Sequence, residues 1–442
     1  MKNLINKFLV LTLGANMLVS SCTLDYINPN AATEAQVLSS KDGLFALAIG
    51  IKQLYSTSAL SSNILTPSVT TRETAIMTTF ANLEELENGG ANLSGENGYT
   101  SRLFARNMRV KGMCEDLVEA AQTIDLEPGT RSGLIAWGNL FRAMTLGNLA
   151  QNFEQVPIYN DKNGKAQFAD RIDAYTEAVN ILQTAIDGLT TNPESDDFLS
   201  FFGSDISLIN SLYTFKARYA LAAGMYDDAI AAADQVDLSV PSVFKYDTEN
   251  QNPVYDGLIF NIAYAPRHNF GLPAGLEPDA NDQRVDFYLT GDTIPSAVNV
   301  LPIRTINAPF FTGFDAEIPV YLPGEMALIK AEAYARKGDL NNAVTQLNLV
   351  LQKQAANDIF GIGANLPPYS GGNTQAEILD EIYKNRRIEL FLIGTSLEDS
   401  RRFRNITPPD GIDFTAERNR NFYPYPADER LNNPNTPPDP SI

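Results

Sequence analysis

The chain has 442 residues, of which 44% are hydrophobic and 19% are charged, a composition typical of a folded protein. Its 53 acidic and 33 basic residues give a net charge of −20, which disfavours binding to nucleic acid or to anionic membrane surfaces. One histidine and two cysteines are too few for a metal site built on clusters of these residues. No phosphate-binding loop or dinucleotide fingerprint is present, so no cofactor is expected.

The first 22 residues have the pattern of an export signal that ends in a lipid anchor. Lys2 and Lys7 precede an uncharged apolar stretch at residues 8–19, which is shorter than the roughly 20 residues of a membrane-spanning helix. Two serines then stand directly before Cys22, as in the bacterial lipobox. We expect residues 1–21 to be a lipoprotein signal peptide and Cys22 to carry acyl chains such as palmitate. The alternative is an ordinary signal peptide with a chance cysteine.

Lipidation of Cys22 would leave Cys114 without a disulfide partner in the chain. The sequence around Cys114 predicts a helix, so a buried structural thiol is expected there rather than a nucleophile. No later stretch is long and apolar enough to span a membrane. The mature chain is long enough for two domains or for one large layered domain.

Residues 33–125 predict N-terminal helices and loops. Apolar periodicity predicts a helix over residues 33–56 and another over residues 102–123, which ends before Pro128. The segment between them, residues 56–100, is rich in Ser, Thr, Asn and Gly. It predicts a loop region with at most one short helix.

Small residues predict a close helix pair within residues 130–190. Gly138 and Gly147 lie in the first helix and permit close contact with a neighbouring helix, while Trp137 is expected in the core. A second helix is expected to begin near Arg171.

Two further pairs, within residues 208–236 and 324–353, share one pattern. In each, a turn glycine precedes an alanine by five residues, at Gly224 with Ala229 and at Gly338 with Ala343. Glycine tolerates the turn backbone and alanine gives room for a close helix crossing, so the pattern resembles the tetratricopeptide repeat. The alternative is a set of chance helical hairpins. A fourth pair within residues 374–400 opens with a Thr-x-x-Glu capping box.

The residues between the second and third pairs, 237–323, lose helical periodicity and are rich in Pro, Asn, Asp, Gly and aromatic residues. A long irregular insertion in a helical array is usually functional. Residues 404–442 are Pro-rich and predict a C-terminal coil.

Several short segments are informative because of their order along the chain. They are Leu24-Asp25 with Pro29 after Cys22, Phe141-Arg142-Ala143 with Phe153 and Val156-Pro157, Ala331-Glu332-Ala333 with Gly338-Asp339, Arg386-Arg387-Ile388-Glu389-Leu390 with Gly394, Asp399 and Arg401-Arg402-Phe403, and Pro424-Tyr425-Pro426 with Glu429 and Asn433-Pro434-Asn435. In this order they resemble the SusD/RagB family of surface lipoproteins from the Bacteroidetes. The chain departs from the family pattern at Glu154, Asn385, Ile393 and Leu397, so the family does not identify its ligand.

The resemblance implies a mainly α-helical, single SusD-like domain over residues 22–442. Four tetratricopeptide-like helix pairs would form a scaffold, and a loop-rich, irregular half would face the ligand. Such proteins bind a glycan or an oligopeptide and deliver it to a TonB-dependent, SusC-like outer-membrane β-barrel, which we expect to contact the repeat-bearing half. The implied location is the outer membrane, lipid-anchored and exposed at the cell surface, for nutrient uptake.

Binding is favoured over catalysis because the chain lacks the usual catalytic equipment. Its one histidine, His268, lies in a predicted loop and is expected to be a polar contact rather than a base. Acidic pairs such as Asp227-Asp228 are expected on solvated helix faces, so the protein is not expected to be an enzyme. Two alternatives stay open, a lipid-anchored glycoside hydrolase and a repeat scaffold that binds protein partners only.

The candidate ligand-binding residues are aromatic and polar side chains of the insertion and of the early loop. Sugar faces stack on aromatic rings, and planar polar groups bind sugar hydroxyls. The candidates are Asn63, Arg72, Tyr99, Tyr255, Tyr264, Arg267, His268 and Phe270. No catalytic residue and no metal ligand is expected.

Overall fold

The computed structural model describes residues 34–442, so the predicted signal peptide and Cys22 lie outside the described residues. The helices are α1 (Glu34–Leu38), α2 (Lys41–Leu54), α3 (Leu60–Thr70), α4 (Ala81–Asn88), α5 (Gly98–Thr123), α6 (Pro128–Asn152), α7 (Arg171–Thr191), α8 (Asp196–Phe202), α9 (Leu208–Ala222), α10 (Tyr226–Ala233), α11 (Pro253–Tyr255), α12 (Gln283–Tyr288), α13 (Pro323–Arg336), α14 (Leu340–Leu351), α15 (Gln375–Glu389), α16 (Ser396–Phe403) and α17 (Ala427–Asn432). The strands are β1 (Thr74–Ile76), β2 (Gln155–Pro157), β3 (Phe168–Asp170), β4 (Val243–Phe244), β5 (Tyr264–Pro266), β6 (Leu289–Pro295), β7 (Pro302–Ile306) and β8 (Ile318–Pro319). Within this range no helix combines the length and the apolarity needed to cross a bilayer.

The predicted helix pairs are confirmed, and they stack into one array. The pairs are α6–α7, α9–α10, α13–α14 and α15–α16. Each pair contacts the next, because α7 packs on α9, α10 on α13, and α13 on α15. The capping box predicted for the fourth pair is formed by Thr374 and Glu377. The protein is mainly helical, and its scaffold is the predicted one.

The turn glycines of the second and third pairs are required by the backbone. Gly224 has a φ of 76° and Gly338 a φ of 83°, a conformation that residues with a Cβ rarely adopt. A Cβ on either glycine would meet no atom within 4 Å, so the requirement is conformational rather than steric. The paired Ala229 and Ala343 are fully buried between helices, as the spacing predicted.

A different constraint acts on Gly147, where α6 crosses α9. A Cβ at this position would lie 2.1 Å from Cζ of Tyr219, whose hydroxyl donates a hydrogen bond to the carbonyl of Met144 at 3.2 Å. The glycine therefore sets how closely the two helices approach. Trp137 lies in the core, as predicted, and its indole nitrogen donates to the carbonyl of Ala48 at 3.0 Å.

Cys114 is a buried free cysteine on α5, which confirms the expected structural thiol. Burial raises the pKa of the thiol far above its usual value, so the reactive thiolate is not formed near neutral pH.

The segment after α2 corrects the predicted loop over residues 56–100. The chain runs from α2 through a π-helical turn (Tyr55–Ala59) directly into α3, and most of α3 is buried. Hydroxyl side chains bond to the helix's own carbonyls, as Ser68 does to Leu65 at 2.8 Å and Thr71 to Pro67 at 2.8 Å. The Ser and Thr content suggested a loop, but tertiary burial stabilises a helix here.

The insertion, residues 237–323, is irregular, as predicted, and contains short strands that form three antiparallel pairs, one of which joins it to the rest of the protein. Strand β5 of the insertion pairs with β1, so that Ile76 lies opposite Tyr264. Strand β4 pairs with β8 and β6 pairs with β7, both within the insertion. The β1–β5 pair therefore brings the insertion against the N-terminal helices.

The C-terminal residues 404–442 are coil except for α17, and they lie across the N-terminal helices. The amide of Asn419 donates to the carbonyls of Leu86 and Glu87 at 2.8 Å, and the hydroxyls of Tyr423 and Thr70 lie 2.8 Å apart. The coil is thus held by specific hydrogen bonds rather than by secondary structure.

Candidate functional site

A cleft of about 440 Å³ lies where the insertion meets the N-terminal helices. One wall comes from α3, from the loop after β1 and from the start of α5. The other wall comes from residues 253–264 of the insertion. Clefts between structural units are common ligand sites, and this one joins the two regions from which ligand contacts were predicted.

Helix α5 places three side chains at the cleft. Its N-cap, Asn97, accepts hydrogen bonds from the backbone of Tyr99 at 3.0 Å and of Thr100 at 3.4 Å, which fixes the start of the helix. Tyr99, Arg102 and Arg106 follow at spacings of three and four residues, so they share one helix face. The guanidinium carbon of Arg102 lies 5.4 Å from the centre of the Tyr99 ring, in cation–π contact.

The insertion contributes Tyr264 to the cleft, and at Gly257 its backbone comes close to α3. A Cβ on Gly257 would lie 3.0 Å from Leu65 and 3.1 Å from the Tyr264 ring, so the glycine lets the insertion approach α3 closely. Burial, and secondarily the neighbouring Tyr99, raise the pKa of Tyr264 well above its usual value. Its hydroxyl therefore stays protonated and available for hydrogen bonding.

Exposed apolar side chains belong to one lining residue of the cleft and to both sequence neighbours of another, Asn261. Phe80, which lines the cleft, is 62% exposed, and Phe260, next to the lining residue Asn261, is 72% exposed. Ile262 is 52% exposed and has a φ of 47°, an unfavourable conformation for a β-branched residue. Exposed aromatic rings and backbone strain are both features of binding sites.

The charge in the cleft is predominantly positive. Arg106 donates from Nη1 to the carbonyl of Ser58 at 3.0 Å and to the hydroxyl of Ser62 at 2.9 Å. Burial lowers the pKa of Arg106, and the positive charge of Arg102 lowers it further. Among residues 34–442, no carboxylate oxygen lies within 4.0 Å of either guanidinium. The acidic lining residue, Asp256, accepts a hydrogen bond from the amide of Asn261 at 2.8 Å.

The structure brings together two of the eight predicted ligand contacts, Tyr99 and Tyr264. Tyr255 is half-buried on α11 beside the cleft and does not line it. Arg267 is buried and donates from Nε to the carbonyl of Pro302 at 3.1 Å. His268 lines a separate cleft of about 580 Å³, together with acidic residues of the insertion.

Three other predicted contacts are buried and do not reach the cleft. Asn63 on α3 exchanges amide hydrogen bonds with Asn107, the shorter at 2.7 Å. Arg72 donates to the carbonyls of Glu87 at 2.8 Å and Asp413 at 2.9 Å. The Phe270 ring is fully buried, 4.8 Å from the ring of Phe391. These polar and aromatic groups hold the fold together.

Sequence reasoning missed several lining residues, among them Phe80, Arg102, Arg106, Asp256 and Asn261. A signal for two of them was present. Tyr99, Arg102 and Arg106 have the spacing of one helix face, and the helix was predicted from residue 102. The other residues come together only through the β1–β5 pairing, which sequence periodicity does not reveal. In the part of the chain that the structure describes, no group of three or more His, Cys, Asp or Glu side chains has an arrangement suited to a metal ion.

Comparison with known proteins identifies the fold. Residues 313–439 match the SusD family. A SusD-like carbohydrate-binding protein from Bacteroides vulgatus ATCC 8482 is similar, with a TM-score of 0.69 and 15% identity over 90% of this chain and 97% of that one. A SusD superfamily protein from Bacteroides thetaiotaomicron VPI-5482 has a TM-score of 0.67 and 17% identity, over 91% of this chain and 100% of that one.

A second SusD-like carbohydrate-binding protein, from Bacteroides fragilis NCTC 9343, has a TM-score of 0.66 and 12% identity over 90% of this chain and 99% of that one. None of the curated proteins compared matches the chain. The resemblance predicted from the ordered short segments is confirmed.

Proposed function

We propose that this chain is a glycan-binding protein and that its binding site is the cleft at Tyr99. The chain has the fold of SusD superfamily proteins and matches the SusD family over residues 313–439. One observation carries the proposal. The cleft combines aromatic rings with hydroxyl, amide and guanidinium groups, at the junction of the N-terminal helices and the irregular insertion. The similar solved proteins that are described as carbohydrate-binding support it.

The same cleft argues against hydrolysis as its function. A glycosidase needs two carboxyl groups on either side of the scissile bond. Among the described lining residues the cleft offers one carboxylate, Asp256, whose Oδ1 accepts a hydrogen bond from Asn261. We therefore favour capture of the glycan without turnover.

Replacing Tyr99 by alanine is expected to weaken glycan binding about tenfold, because the substitution removes a ring surface and the cation–π partner of Arg102. Calorimetric titration with the glycan that binds the wild type in a panel of oligosaccharides measures the change. Tyr159→Ala is the matched control, since Tyr159 is exposed and its hydroxyl bonds to Glu177, outside the cleft. Equal affinities of the wild type and Tyr99→Ala, with both folded, would place the binding site elsewhere.

The proposal includes a lipid anchor on Cys22, supported by the serines and the apolar stretch before it. The Cys22→Ala variant should lose incorporation of a palmitate analogue and leave the membrane fraction. Cys114→Ala is the control because it removes the other cysteine, which is buried, and it should keep both label and location. Unchanged labelling of Cys22→Ala would disprove the anchor.

Delivery to a TonB-dependent outer-membrane β-barrel is the last part of the proposal, supported by the SusD-like fold. We expect the barrel to contact the helix-pair half. Purification from outer membranes in mild detergent should yield the protein together with a barrel. Recovery without any barrel, after crosslinking as well, would count against delivery and leave glycan binding intact.

A further inference from the structure

Arg102 and Arg106 lie four residues apart on α5 at the cleft, and neither has an acidic partner within residues 34–442. Arg102 contacts the Tyr99 ring, while Arg106 uses Nη1 for Ser58 and Ser62. In the described residues, Nε and Nη2 of Arg106 have no hydrogen-bond partner, and neither arginine forms an ion pair. This arrangement stands out on a chain with a net charge of −20.

We propose that the cleft selects a glycan that carries an anionic group, a uronate carboxylate or a sulfate ester, and that Arg102 and Arg106 bind that group. The inference rests on the proposed glycan-binding function and names the class of its ligand. Both groups are oxyanions, so the same guanidinium chemistry would recognise either of them.

The case for an anion comes from charge. Two positive charges in a partly buried cleft repel one another more strongly than in water, because the surroundings are less polarisable. An anion between them would replace this repulsion with two attractive contacts. Guanidinium groups suit the task, since their planar N–H donors match the oxygens of carboxylates and sulfates. Arg106 is already oriented by Ser58 and Ser62, so little side-chain freedom would be lost on binding.

The case for a sugar, rather than an acidic peptide, comes from the other lining groups. Phe80 and Tyr99 offer ring surfaces for the C–H faces of a sugar. Short hydroxyl side chains also line the cleft, among them Ser61 and Thr66. Such groups are suited to hydrogen bonds with sugar hydroxyls. The hydroxyl of Thr78, also in the wall, has no hydrogen-bond partner within the described residues.

The test compares matched ligands on the mature full-length protein. One pair is tetragalacturonate and its neutral methyl ester, and the other is a sulfated galacto-oligosaccharide and its desulfated form. A hexaglutamate peptide is the non-sugar anion. We expect one acidic sugar to bind at least about tenfold more tightly than its neutral counterpart, with affinity falling as salt rises. The pair that shows the difference distinguishes carboxylate from sulfate.

The variant Arg102→Gln/Arg106→Gln should lose this preference. Arg109→Gln is the matched control, since Arg109 is exposed on the same helix and does not line the cleft. It should keep the acidic-to-neutral ratio. Should the double variant be unstable, Arg102→Lys/Arg106→Lys keeps the charge but removes the forked donors, and we expect it to retain only part of the preference.

Each alternative result has a distinct meaning. Equal binding of acidic and neutral sugars by the wild type would overturn the anion inference and leave glycan binding standing. A preference that survives in the double variant would overturn the role of the two arginines. If hexaglutamate binds and none of the sugars does, both the inference and the proposed function are overturned.

Discussion

Replacing Glu332 by alanine is expected to destabilise the protein by about 3–5 kcal/mol, because the substitution removes a buried carboxylate that three arginines share. Glu332 on α13 is fully buried and accepts hydrogen bonds from Nε and Nη2 of Arg402 at 2.8 and 2.7 Å, and from Arg336 at 2.8 Å. Arg402 also bonds to Asp399, at 2.8 Å, and Asp399 pairs with Arg386 at 2.9 Å. The carboxylate therefore links the third helix pair to the fourth.

The prediction is checked by urea unfolding of the wild type and Glu332→Ala at pH 7. Asp197→Ala is the control, since it breaks the exposed Lys41–Asp197 ion pair and should change the free energy of unfolding by at most about 1 kcal/mol. An unchanged unfolding midpoint for Glu332→Ala would show that the network does not stabilise the fold.

The effect of Glu332 should also depend on pH. Burial opposes ionisation, but Arg402, Arg336 and Arg386 outweigh it and lower the pKa of Glu332 from 4.5 to about 2. A carboxyl group with a lowered pKa in the folded state stabilises the protein above its unfolded pKa. The difference in the free energy of unfolding between the wild type and Glu332→Ala should therefore be largest above about pH 4.5 and shrink as the pH falls toward 2.

Replacing Glu73 by glutamine is expected to have the opposite effect and to stabilise the protein above neutral pH by about 3 kcal/mol. Glu73 is buried, and its Oε2 has no hydrogen-bond partner among the described residues. Burial raises the pKa of Glu73 from 4.5 to about 7, against the opposing charge of Arg387. Above pH 7 the folded protein therefore holds a buried carboxylate that glutamine would replace with a neutral amide.

The sign of the pH dependence follows from linkage. Between pH 4.5 and 7 the folded state keeps a proton that the unfolded state has released, so stability falls as the pH rises. Each pKa unit corresponds to about 1.4 kcal/mol. The gain in the free energy of unfolding from Glu73→Gln should therefore grow across this window and level off above pH 7. Urea unfolding at pH 5, 6, 7 and 8 measures it. Glu119→Gln, an exposed site with the same change of charge, should show no such trend.

Within residues 34–442, none of the segments that carry the family resemblance lines the cleft. Arg387 donates from Nη2 to the carbonyls of Thr71 at 3.0 Å and Phe270 at 2.9 Å, which joins α15 to the N-terminal region and to the insertion. Asn385, a departure from the family pattern, accepts a hydrogen bond from the buried Arg284 at 2.7 Å. The motif residues therefore indicate the fold, but they do not by themselves identify the ligand.

The lining of the proposed binding cleft was predictable from the sequence only in part. Tyr99 of the early polar region and Tyr264 of the aromatic-rich insertion, both predicted ligand contacts, line the same cleft. Asn63 and Phe270 belong to the same two regions and have similar side chains, yet both are buried. Residue type does not reveal whether a polar or aromatic side chain faces a cleft or packs inward.

The sequence alone determined the features that depend on local spacing. Apolar periodicity, small residues and the glycines at 224 and 338 predicted the helix pairs, because a turn with positive φ and a close crossing need those residues wherever they occur. The order of short segments predicted the SusD-like fold. Tertiary structure decided the rest. It made a helix of residues 60–70 by burying them, and the β1–β5 pairing brought the insertion to α5. The cleft exists only through that pairing of residues nearly 190 positions apart, as Ile76 with Tyr264 shows.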